Sequence, residues 1–288
     1  MKTSNPIFSR WGFDRTVGQA GTSVRQPVSA SVAARPTVDH MTNPYQATRG
    51  PSLLKGSRAD RATMTLDDVI VRTATALSTV ALAAALSWIL LPVDETNVGQ
   101  SYGLAIGAAV IAFVLSIIQA FKRTPSPPLI LGYAAFEGVF LGVISNATST
   151  YIAPGVIVQA VLGTFAVSAG VLIAYRMRWI RVTRRFFGFV LASAAGFLLL
   201  MAADLLLSAF SAGNGLGFDS GSLGVVFGIV GIVLGACFLA LDFKQVEDAI
   251  TYGAPREESW LAAFGLTATL VWIYLEALRV LTILHSDD

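Results

Sequence analysis

From about residue 69 onward the chain alternates long apolar stretches with short polar connectors. The stretches cover 69–91, 101–121, 128–147, 155–175, 186–208, 222–242 and 261–284. Each is close to the ~20 residues an α-helix needs to cross a ~30 Å hydrocarbon core. None shows the two-residue alternation of a lipid-facing barrel strand. The pattern therefore predicts an all-α integral membrane protein with seven transmembrane helices. The first has a start signal: in TMTLDDVIV, Thr65 and Asp68 have the spacing of a capping box. Arg72, four positions after Asp68, reads as a snorkelling side chain.

Ahead of this region the pattern vanishes. Residues 1–61 mix Pro, Gly, Ser and Thr with nine Lys or Arg and three Asp, without periodicity. Such a segment is expected to be a disordered basic tail, leaving 62–288 as the transmembrane domain. Its basic residues are scattered rather than clustered, so nucleic acid is not an expected partner. The opening MKTSNPIFSRWGFDR lacks an apolar signal core, so the first span is expected to direct insertion.

The distribution of charge sets an orientation. Only 13% of residues are charged, against roughly 25% in soluble domains. Lys122 and Arg123 lie between spans two and three, five arginines (176, 178, 181, 184 and 185) between four and five, and Lys244 and Arg256 between six and seven. With the nine in the tail these make 18 of the 20 basic residues, and the alternate connectors have none. The positive-inside rule then predicts a cytoplasmic N-terminus and an external C-terminus in the cell membrane.

Several chemistries are excluded. Cys237 is the single cysteine, which rules out an intrachain disulfide or a cysteine metal cluster. The two histidines, His40 and His285, lie in tails, away from any intramembrane Ser-His or metal protease site. No span carries a Schiff-base lysine, and no phosphate-cradling glycine loop is present; GNGLGFDSGSLG reads as an outer loop. Enzyme activity and a bound cofactor are therefore not expected.

What remains is four acids within the spans, Glu137, Asp204, Asp242 and Glu276. Each costs a few kcal/mol on insertion scales and is a functional candidate for that reason. Asp242 continues a stripe formed by Gly224, Gly228, Gly231 and Gly235, all within ~40° of its direction on a helix. Because Gly-xxx-Gly spacings let helices approach closely, Asp242 is expected to face the bundle. Glu276 lies well inside span seven and has two open readings: an ion pair with Arg279, three residues on, or a carboxylate pair with Asp242. The second requires the helix past Gly253 to lie along the surface through EESWLAAF and to turn upright near Gly265. Glu137 reads equally as polar glue or as a third carboxylate. Asp204, near the opposite mouth, reads as a cap or a lining group. It stands ~25 Å or more from Asp242 across the core, too far for an aspartyl protease dyad.

Seven spans, the FEGVFLG stretch around Glu137, the LALDF end of span six and a last helix ending EALRVLTIL resemble the Bax inhibitor-1/YccA family, also called the transmembrane BAX inhibitor motif family. The likeness covers about residues 62–285, and the basic tail with DRATMTLDDVIV is similar to actinobacterial members, which implies a bacterial inner membrane. The resemblance implies a central last helix wrapped by the other six. It also implies a pH-sensitive calcium leak governed by an acid pair from spans six and seven, here Asp242 and Glu276, with Ca²⁺ and H⁺ as the ions handled. Two features depart from the bacterial calcium-leak pattern: the last-helix acid is Glu rather than Asp, and it follows Asp242 by 34 positions, a longer separation than that pattern has. Arg123 or Lys122 at the cytoplasmic mouth could compete for one acid. The alternative function is a scaffold that binds other membrane proteins, such as a quality-control protease, with its acids serving as interhelical glue. A proton-coupled transporter is a third reading.

Overall fold

The computed structural model describes residues 63–286, apart from Pro92, 94–96, Arg123, Ala153, 211–215 and Asp219. The expected tail, 1–61, and the candidate Arg123 lie outside the described residues. Those described belong to one compact unit, Ala59–Asp288. Seven helices are long and apolar enough to cross a membrane. They are α1 (Leu66–Leu90), α2 (Val98–Phe121), α3 (Pro127–Tyr151), α4 (Val156–Arg176), α5 (Arg184–Phe210), α6 (Gly221–Thr251) and α7 (Ser259–Ser286). The protein is thus an all-α, multi-pass membrane protein set in a lipid bilayer. Large apolar side chains such as Phe113, Phe165, Leu199 and Phe210 remain exposed on its outer faces. For a soluble domain that much open apolar surface would signal an aggregation hazard, whereas here it is the face turned to lipid.

Local sequence sets the helix ends. At α1 the Thr65 hydroxyl accepts the Asp68 backbone N–H at 3.2 Å, and the Asp68 carboxylate accepts the Thr65 N–H at 3.3 Å, which is the expected capping box. Two prolines open α3, where a missing N–H costs nothing. Helix α6 runs nine residues past Asp242 and stops at Thr251; Gly253 then takes φ +68°, a left-handed conformation that suits glycine.

Two helix pairs form the inner packing. Helix α3 lies tightly on α1 because Gly138 and Gly142 have no side chains: a Cβ at Gly138 would stand 2.4 Å from the Val80 carbonyl oxygen, and one at Gly142 2.3 Å from that of Ala84. Helix α7 packs most closely on α6, then on α1 and α4, and less on α3. Helix α2 leans on α3 and α5 on α6, with Phe197 of α5 reaching Trp272 of α7 at 5.8 Å between rings. The last helix is therefore flanked chiefly by four neighbours, with α5 reaching it through Phe197.

One junction overturns a sequence expectation. Arg72 does not snorkel freely. It donates to the Arg256 carbonyl and to the Ser259 hydroxyl, and its guanidinium lies 5.3 Å above the Trp260 ring. Arg256 in turn bonds Asp68 at 2.7 Å, and Met64 N–H bonds the Ala254 carbonyl at 2.9 Å. The start of α1 is thereby tied to the α6–α7 connector at what we term the basic end of the bundle.

Candidate carboxylate sites along the last helix

The glycine stripe of α6 sets its register against α7. A Cβ at Gly224 would meet Ile283 at 2.9 Å, one at Gly228 would meet Val280 at 2.4 Å, and one at Gly235 would meet Ile273 at 2.6 Å. Between them, a Cβ at Gly231 would stand 2.6 Å from the Glu276 carboxyl carbon. The helices run antiparallel with their backbones in close approach, and Asp242 continues that line as expected. Its carboxylate accepts the Thr269 hydroxyl at 2.6 Å and lies 3.3 Å from where a Cβ on Gly265 would be. Asp242 therefore faces α7, inside the bundle.

The same register separates the two acids. Glu276 is level with Gly231, eleven residues before Asp242 on α6, or roughly 16 Å at 1.5 Å per residue. The geometry that would bring them together requires a break near Gly265, and none exists. A single turn at Arg256–Glu258 leads directly into α7, which is continuous from Ser259 through Gly265 to Ser286. EESWLAAF does not lie along the surface, so Asp242 and Glu276 do not touch.

Each acid instead has a different partner. Glu276 is 6% exposed, and its Oε2 lies 3.6 Å from Arg279 Nη1, the i,i+3 ion pair that was one of its two sequence readings. Arg279 also donates to the Phe218 carbonyl at 2.6 Å and sits 5.2 Å from the Phe227 ring, which stacks between Phe197 and Phe218. Trp272 donates its indole N–H to the Gly231 carbonyl at 3.1 Å. Beside this group a cavity of about 390 Å³ opens among α3, α5 and α7, lined by Thr148, Met201, Trp272, Glu276 and Arg279 with aliphatic neighbours.

The remaining candidates are dispersed. Asp204, 7% exposed, accepts the Leu216 backbone N–H at 2.5 Å and so anchors the connector after α5, in keeping with a capping role at the mouth opposite the basic end. Glu137 lies on α3 between Tyr133, whose ring meets Phe264 of α7, and Leu141, which packs with Val271 of α7. That puts it near the level of Asp242, beside a different face of α7. Lys122 follows the last turn of α2 and caps it through its backbone N–H. Sequence reasoning passed over Thr269 as the partner of Asp242, although its position one turn past Gly265 carried the signal. It also passed over the Gly138-xxx-Gly142 spacing, visible in FEGVFLG itself.

A family model described as Bax inhibitor 1 like matches residues 5–286. The match extends back through most of the basic segment, which the motif likeness had left out. No curated protein matches the chain.

Proposed function

Because this chain belongs to the Bax inhibitor 1-like family, we propose that it is a pH-sensitive calcium leak of the cell membrane, with its basic connectors in the cytoplasm, its C-terminus outside, and Asp242 as the acid on which the response turns. The observation that carries this reading is the Asp242–Thr269 hydrogen bond, made between α6 and α7 inside the seam. A protonated Asp242 is neutral and can accept from Thr269 while α6 and α7 stay in contact. Once the proton leaves, a charge lies between two helices at membrane depth and demands water or a cation. Carboxylate and hydroxyl oxygens suit Ca²⁺, which takes hard oxygen ligands. Glu276, 16 Å or so further along the seam, is a second anionic station beside the cavity, with Arg279 as its resident counter-charge. The two acids thus act in series rather than as one proton-sharing pair.

The experiment is calcium flux into proteoliposomes. Asp242→Asn should remove the dependence on pH, and Glu276→Gln should change the rate while leaving that dependence in place. A second reading, the membrane scaffold, is favoured by the ready structural partners of both acids, Thr269 and Arg279, since interhelical glue needs nothing more. Under it, purified protein carries no flux, and a crosslinked membrane partner persists in both variants.

A further inference from the structure

We infer that α3 and α7 form a second ion site, separate from the α6–α7 seam, in which Glu137 and Thr267 hold one monovalent cation of the alkali class. On α3, Glu137 is one turn past Tyr133 and one turn before Leu141. On α7, Thr267 is three residues past Phe264 and four before Val271. Tyr133 meets Phe264 edge-on with ring centroids 5.0 Å apart, and Leu141 shares a packed cluster with Val271. Residues three and four apart share a helix face, so these two contacts bracket Glu137 and Thr267 and set them at one level of the α3–α7 contact.

Both groups lack partners where partners are needed. Thr267 is 1% exposed, and its hydroxyl has no hydrogen bond among the described residues. A buried hydroxyl left so costs about 1–3 kcal/mol. Glu137, partly buried within a membrane-spanning helix, has neither hydrogen bond nor ion pair among the described residues. A carboxylate and a hydroxyl at one level of a helix contact offer hard oxygen donors to a cation. Charge selects which cation: one carboxylate neutralises one positive charge, whereas a divalent ion would leave a net charge at membrane depth. Asp242 does not share this site, because it approaches α7 at Gly265 and Thr269, each about 200° around the helix from Thr267.

This site does not depend on the calcium-leak reading, and its test involves no flux. The full chain in detergent micelles is unfolded thermally in sodium chloride and in choline chloride of equal ionic strength. Sodium should raise Tm in the wild type and in Asp242→Asn, as a ligand of the folded state must. The rise should disappear in Glu137→Gln, and Thr267→Val, which keeps the shape of the side chain, should need roughly tenfold more sodium for the same rise. Thr267→Val decides the matter if Glu137→Gln does not fold. A Tm indifferent to sodium and potassium overturns the site, as does a sodium response undiminished in Thr267→Val. Stabilisation by acid alone, with no sodium response, would assign a proton to Glu137 and overturn the cation.

Discussion

Asp242 owes its setting to three neighbours that are small or hydroxylic: the glycine stripe that brings α6 onto α7, Gly265 opposite it, and the donor Thr269. Thr269→Val removes the donor and leaves the acid at the seam without its bond. Because that donor favours the charged carboxylate, we expect calcium flux at mildly acidic pH to fall about tenfold, the equivalent of one buried hydrogen bond, while flux at alkaline pH changes little. Two glycines test close approach in different ways. At Gly142 a Cβ meets backbone, 2.3 Å from the Ala84 carbonyl oxygen, so α1 and α3 must separate. Gly142→Ala should cost about 1–3 kcal/mol, measured as lost thermal stability in detergent. At Gly231 the obstructing group is the end of the Glu276 side chain, which can swing aside. Gly231→Ala should therefore cost less and act by displacing that carboxylate.

At the scale of elements, the seven helices, their approximate limits and the inward face of α6 were all legible in the sequence. Apolar period and glycine spacing are local properties, and the stop at Gly253 before Pro255 followed from turn chemistry. The depth of α7 was not legible. It is fixed by a contact between residues far apart in the chain: Arg256 to Asp68, and Arg72 to the connector and Trp260. These bonds hold residues 256–258 as a single turn, so α7 starts at Ser259 and Glu276 rises past the level of Asp242. Local periodicity carries no term for such a tie, which is why a bent α7 and a paired Asp242–Glu276 were equally consistent with the sequence. The tie is itself testable. Arg72→Ala should weaken it by about 1–3 kcal/mol, seen as faster amide exchange in residues 252–262 and at the start of α1, with the α6–α7 seam around Gly228 unaffected.

For the whole molecule, membrane embedding accounts for the pattern of burial. Gly138, Gly142 and the α6 glycine stripe lie at helix contacts, and many large apolar side chains lie outside. The basic connectors imply an orientation that cysteine labelling can read once Cys237 is replaced by Ala. Ser220→Cys, exposed at the end opposite the basic connectors, should react with a membrane-impermeant thiol reagent on intact cells. Glu257→Cys, exposed at the basic end, should react only after the cells are opened; the reverse result would invert the topology.

The central claim is that the charge on Asp242 controls passage of calcium along the α6–α7 seam. Its most direct test is calcium flux through purified wild-type protein and Asp242→Asn in matched proteoliposomes, followed from mildly acidic to mildly alkaline pH. The account predicts wild-type flux that rises as the pH rises and Asp242→Asn flux that is flat across the range. Equal pH dependence in the two proteins, or no calcium flux in either, would contradict it.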